Sequence, residues 1–159
     1  MDIPQLLATW LHTLAFVIAW GYYGVLGRML LPALEQSLDQ PAQTAALVGV
    51  ERRARPLLVL SVALFTATGT YLLFVDPDYE GLGNVFASTW TTLMLIKHVL
   101  VIALIALAVL VDRLIRRLGE ATSDSARGSA LRRLRLSAEG ATGLGALIAL
   151  LTVAAQLAA

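Results

Sequence analysis

The residues most able to do chemistry are two histidines, His12 and His98, because each lies within a long hydrophobic stretch of the chain. Lys97 precedes His98 directly. A charged side chain inside a membrane costs about 2.5–3.5 kcal/mol on insertion scales, so it is seldom kept without a partner or a task. Helix rise places His12 and the Lys97-His98 pair at similar depths in their stretches, so the pattern predicts a site at which they meet.

Two imidazoles on facing helices allow two kinds of site. They can be the axial ligands of a haem b, since cofactor sites in helix bundles are built from facing helices. They can instead bind copper, which accepts both imidazole and thioether ligands. Met94 would supply the thioether, because it lies four residues before His98 and one helical turn away. The residues themselves leave copper and haem b open as the cofactor.

Neighbouring side chains complete the predicted site. Trp20 and Tyr23 follow His12 along its helix and can wall a flat ligand, although aromatic residues at helical spacing are also typical of plain packing. Successive helix residues point about 100° apart. Lys97 and His98 therefore cannot both face one small ion, although they can flank a porphyrin or Lys97 can serve as an axial ligand.

Composition identifies the elements that must position these residues. The chain has 159 residues, of which 58% are hydrophobic and only 14% charged. A membrane-spanning helix needs about 20 mostly apolar residues. Four stretches meet that requirement, namely residues 6–31, 57–75, 89–111 and 140–159. The sequence thus predicts an all-α integral membrane protein, a single domain over residues 1–159 folded as an antiparallel bundle of four transmembrane helices.

The arginines predict how the bundle is oriented. Eleven of the twelve basic residues fall either at the end of helix one with its following loop or in the loop between helices three and four. Short basic loops stay cytoplasmic. We therefore expect both termini outside the inner membrane. We also expect helix two to begin before Arg52, with Pro56 starting or kinking it.

Several function classes are excluded or disfavoured. The chain has no cysteine, so it has no disulfide and no thiolate ligand. It carries no nucleophile elbow, phosphate loop or HExxH motif. The centres of the four stretches hold no Asp or Glu, which disfavours a carboxylate-driven pump. The expected partners are the lipid bilayer and a larger membrane redox complex or a periplasmic copper protein, with no nucleic acid.

Short motifs give the chain a family resemblance. They are the WLH of helix one with a later Trp-Gly step, LLP at its end, TGTYLLF at residues 68–74, and LIKH at residues 95–98. Together they resemble the four-helix membrane domain of the copper resistance protein D family, over nearly the whole chain. A more distant resemblance is to the haem-containing membrane protoporphyrinogen oxidase family, to whose helix-one histidine and helix-three lysine His12 and Lys97 are similar.

The residues and these resemblances together leave three functions open. The first is copper binding or transport through His12, His98 and Met94, for which the protein need not be an enzyme. The second is a b-type haem protein for electron transfer or porphyrinogen oxidation, with His12 and either His98 or Lys97 as axial ligands. The third, implied by the glycine-bearing helix faces, is a non-catalytic accessory subunit of a larger membrane complex.

Overall fold

The computed structural model describes residues 2–77, 79, 81, 84, 86, 88–121 and 123–158, and within them it is helical without a strand. The helices are α1 (Ile3–Val25), α2 (Leu31–Ser37), α3 (Gln40–Val75), α4 (Thr89–Glu120) and α5 (Asp124–Ala158), and a π-helical turn (Leu26–Leu30) joins α1 to α2. Four helical spans are long and apolar enough to cross a membrane. The predicted all-α bundle of four apolar helices is confirmed.

The helices are longer than the hydrophobic stretches. α3 begins at Gln40, so the second long helix begins before Arg52, as expected, and includes residues 40–56. Its start is fixed by Asp39, whose carboxylate accepts a hydrogen bond from the Ala42 backbone N–H at 2.9 Å. Pro41 in the first turn has no N–H to leave unsatisfied. Pro56 lies inside α3, where the helix continues past it.

The first span changes its winding before Pro32. A proline inside a helix cannot donate to the carbonyl four residues earlier and clashes with it. The π-helical turn Leu26–Leu30 lies directly before this position and accommodates the disruption. On the same turn, Gly27 lies against α5, where an added Cβ would be 3.2 Å from that of Ala138. The small residue therefore allows α1 and α5 to approach closely.

The four spans form a ring. α1 packs against α3 and α5, whereas α4 packs most extensively against α5 and less so against α3. α1 and α4 consequently occupy opposite corners of the bundle. Side chains from these two helices can meet only across its centre, between α3 and α5.

One end of the bundle carries Arg55, Arg113 and Arg116 and is called the arginine-rich end below. The tightest packing lies at this end. Its buried cluster includes Leu26, Leu31, Leu47, Ile115, Leu118 and Leu134. Each fully buried leucine or isoleucine stabilises by about 1.5–3 kcal/mol where water is the alternative. Nearer the other end the helices bury fewer side chains completely, and many large apolar residues face outward, as expected of a surface in contact with lipid.

Candidate functional site

His12 is held by the neighbouring helix α3. Its ring nitrogen Nδ1 lies 3.0 Å from the Phe65 carbonyl oxygen and 3.1 Å from the Thr68 hydroxyl oxygen. A carbonyl oxygen can only accept a hydrogen bond, so Nδ1 carries the proton. The Thr68 hydroxyl donates to the Leu64 carbonyl at 2.5 Å and can accept from His12 at the same time. The His12 tautomer is therefore set by α3.

This tautomer has a chemical consequence. When Nδ1 of a neutral imidazole donates, Nε2 keeps its lone pair. Metal-binding histidines usually show this arrangement, in which the second nitrogen donates to a carbonyl that orients the ring. The hydrogen bond to α3 thus leaves His12 Nε2 with the lone pair that a metal ligand requires.

The His12 ring is also fixed by packing. It stacks on the Phe65 ring, with 4.1 Å between centroids and 19° between planes. Its other contact is Gly69, where a Cβ atom would lie 2.8 Å from His12 Cε1. Only a glycine lets the α3 backbone approach the imidazole this closely. The ring is consequently held by two hydrogen bonds, one stack and one backbone contact.

Two contacts set the register between the antiparallel helices α3 and α4. Arg55 forms an ion pair with Asp112 at 3.7 Å. Further towards the same end, an added Cβ at Gly119 would lie 3.5 Å from a Val48 methyl group. Both pairs fit one register, since seven residues separate Val48 from Arg55 and seven separate Asp112 from Gly119. Equal rise per residue then extends this register along the two helices.

The register brings Lys97 to the level of His12. Counting fifteen residues along both helices from the Arg55–Asp112 ion pair leads to Thr70 on α3 and Lys97 on α4. Thr70 follows Gly69, which contacts His12. Lys97 and His98 are in fact close enough to His12 to interact with its ring electrostatically. His12 on α1 and Lys97 on α4 therefore lie at similar levels of the bundle, which is the match in depth predicted for helices one and three.

Lys97 and His98 point in different directions from α4. Lys97 is partly buried, as is Met94, and Trp90 on the same face is 5% exposed. His98 is exposed and points about 100° away from Lys97, and its Nδ1 donates a hydrogen bond to the Met94 carbonyl of its own helix at 2.6 Å. The structure thus buries Lys97 more than His98. Lys97 also interacts electrostatically with Asp76 at the end of α3.

The two aromatic residues predicted to frame the site lie further along α1. Trp20 donates from Nε1 to the Thr142 carbonyl of α5 at 2.8 Å. Its ring is connected to the His12 region through Phe16, which stacks on Trp20 at 5.6 Å and lies 5.9 Å from the Phe65 ring. Tyr23 is buried in the apolar cluster at the arginine-rich end. Trp20 therefore borders the histidine region, and Tyr23 does not.

A second polar group was not predicted from the sequence. The Tyr22 hydroxyl donates to the carboxylate of Glu51, which is only 7% exposed. Nearby, Asp112 pairs with Arg55 and Arg116. Glu51 continues the buried face of α3, so its helical spacing is the sequence signal for its burial.

The described residues contain no group of three or more His, Cys, Asp or Glu side chains that could hold a metal ion. Cu(I) accepts imidazole nitrogens and thioethers, the donor types that His12 and Met94 carry.

An all-helical membrane bundle with an oriented intramembrane histidine is the class of protein that the fold and the site define. Comparison with protein-family models gives a match to copper resistance protein D over residues 48–155, well over half of the chain. The chain therefore belongs to the copper resistance protein D family. No curated protein matches the chain, and no solved structure does.

Proposed function

We propose that this protein binds copper within the membrane and passes it across or to a partner, with His12 as the principal ligand. The observation that carries the proposal is the hydrogen bond from His12 Nδ1 to the Phe65 carbonyl. This bond leaves Nε2 unprotonated and fixes the ring in place, which is what a metal ligand requires. Copper is here the cargo of the protein.

Met94 is proposed as the second ligand. It is partly buried on α4, three residues before Lys97. A thioether is a soft, uncharged ligand that suits Cu(I). An ion held by one imidazole and one thioether is bound without a carboxylate, so it can leave more readily than from a dedicated metal cage.

Lys97 is proposed as the electrostatic control of this site. A protonated lysine at the level of His12 repels a bound cation, and Lys97 also interacts electrostatically with Asp76. The lysine therefore favours release of the ion over storage. This role accounts for a basic residue that is partly buried at membrane depth.

The orientation in the membrane follows from the arginines. We propose that the arginine-rich end faces the cytoplasm and that both termini lie outside an inner membrane, as the distribution of basic residues favours. His12 and Lys97 then lie nearer the outer surface. Copper would reach them from outside.

The ligand assignment is tested by Cu(I) binding to the purified protein in competition with a chromophoric chelator. The informative variant is His12→Asn, because its amide can still donate to the Phe65 carbonyl but offers no Nε2. We expect its affinity for Cu(I) to fall about 100-fold or more, since even loss of an outer-shell partner costs 10–100-fold. His98→Asn is the matched control and keeps the wild-type affinity.

Two results would overturn the assignment. Equal loss of affinity in both variants would place the copper elsewhere or show that both histidines are ligands. A Soret band in the purified protein that disappears in His12→Asn would show that the imidazole binds haem instead.

A further inference from the structure

A groove lies between the end of α4 and the start of α5, away from the histidine region. Its volume is about 340 Å³, and Leu114, Ala126 and Ala130 contribute apolar side chains to its wall. The turn beside it is held by Arg127, which donates to the Ala121 carbonyl at 2.9 Å. The groove thus lies where the end of α4 meets the start of α5.

Two of the four polar residues that line the groove are arginines. Arg117 on α4 and Arg133 on α5 both line it, together with the Ser129 hydroxyl and the Glu120 carboxylate. Among the described residues, the recorded ion pairs include neither Arg117 nor Arg133. Two guanidinium groups that face one groove from opposite helices favour an anion with several oxygen atoms.

The groove lies at the depth of lipid headgroups. Arg117 follows Val111, the last residue of the apolar stretch in α4, by six residues, or about 9 Å of helix. The headgroup region extends about 5–8 Å beyond the hydrocarbon on each side. The Arg117 backbone therefore lies slightly beyond the headgroup region, and the long arginine stem lets the guanidinium group reach back to the headgroups.

Exposed leucines continue the groove towards the hydrocarbon. Leu110 precedes Leu114 by one turn on α4 and is 43% exposed, and Leu136 follows Arg133 on α5 and is 63% exposed. Both lie on the faces that form the groove, because residues three or four apart share a helix face. An amphiphile with its anionic group at the arginines would place its chains over these leucines.

We propose that this groove binds the headgroup phosphate of an anionic phospholipid. Arg117 and Arg133 bind the phosphate oxygens from two sides, and the Ser129 hydroxyl donates a further hydrogen bond. The acyl chains lie over Leu110 and Leu136. The bound lipid would connect α4 to α5 at the end where the bundle is most tightly packed. Basic pockets between transmembrane helices are suited to such headgroups.

The test measures lipid binding by the purified full-length protein in detergent micelles, using native mass spectrometry and thermal unfolding. The probes are phosphatidylglycerol, phosphatidylcholine and inorganic phosphate. We expect wild type to retain phosphatidylglycerol and to unfold at a higher temperature in its presence than with phosphatidylcholine. The double variant Arg117→Gln/Arg133→Gln should bind phosphatidylglycerol about 30-fold more weakly.

The matched control is Arg52→Gln/Arg53→Gln, which removes the same charge from exposed positions on α3 outside the groove. It should retain phosphatidylglycerol as wild type does. Equal loss in the control would show attraction to net charge alone and would overturn the site. An equal rise in unfolding temperature with inorganic phosphate would overturn the lipid as its ligand. The copper measurements do not depend on either result.

Discussion

The contact between Gly69 and His12 gives the sharpest prediction, for the substitution Gly69→Ala. The added methyl carbon would lie 2.8 Å from His12 Cε1 and 3.3 Å from Nδ1. The first distance is 0.6 Å short of the 3.4 Å at which ordinary contact begins. The imidazole must therefore retreat, and the bonds that hold its Nδ1 atom must lengthen.

The size of the effect follows from three contributions. Overpacking of a fixed side chain costs about 1–3 kcal/mol. Weakening the bond between His12 and the Phe65 carbonyl costs about 1 kcal/mol more. Replacing glycine by alanine within a helix stabilises the folded protein by about 1 kcal/mol, which offsets part of this cost. We therefore expect Gly69→Ala to lower the free energy of unfolding by about 1–3 kcal/mol.

The assay is thermal unfolding in detergent, followed by circular dichroism. Gly49→Ala is the matched control on the same helix, because no atom lies within 4 Å of its Cβ position, and it should be neutral or stabilising. A double-mutant cycle with His12→Ala isolates the contact. In that background Gly69→Ala should cost nothing. A Gly69→Ala protein as stable as Gly49→Ala, or a cost that persists without the imidazole, would refute the described packing of His12.

Two further substitutions test other parts of the bundle. Gly145→Ala should destabilise by about 1–3 kcal/mol, because its methyl group would overlap the Trp20 indole, whereas Gly143→Ala, with open space at its Cβ, should not. Tyr22→Phe should lower the free energy of unfolding by about 1.5–3 kcal/mol in the same thermal assay, because the buried Glu51 carboxylate loses its hydroxyl donor. Wild-type stability in either Gly145→Ala or Tyr22→Phe would contradict the corresponding contact.

Hydrophobic length predicted the four helices well, because the bilayer requires long apolar segments whatever their detailed packing. It did not predict how far α3 extends. The buried or partly buried face of α3 recurs every three or four residues through the polar stretch, at Gln43, Leu47, Glu51, Ala54, Leu58, Ser61, Phe65 and Thr68. This period is that of a packed helix. The arginines and Pro56 between these positions obscured it.

The sequence predicted the depth of the site, but it did not predict which of Lys97 and His98 is the more buried. Helix rise alone placed His12 and the Lys97-His98 pair at similar levels. The choice between Lys97 and His98 depends on the contacts of the whole α4 face. Lys97 follows Trp90 by seven residues, two helical turns, and therefore shares its buried face, while His98 is turned away by a further 100°. The anchoring of His12 by Phe65 and Thr68 depends on tertiary packing that spacing does not contain.

Copper is proposed to cross or leave the bundle through His12. This role of His12 is tested by copper uptake into proteoliposomes that contain wild type, His12→Asn or His98→Asn, measured by elemental analysis of the vesicle contents. We predict uptake with wild type and His98→Asn, and loss of uptake with His12→Asn while its thermal stability is retained. Wild-type uptake by a folded His12→Asn protein would contradict the claim.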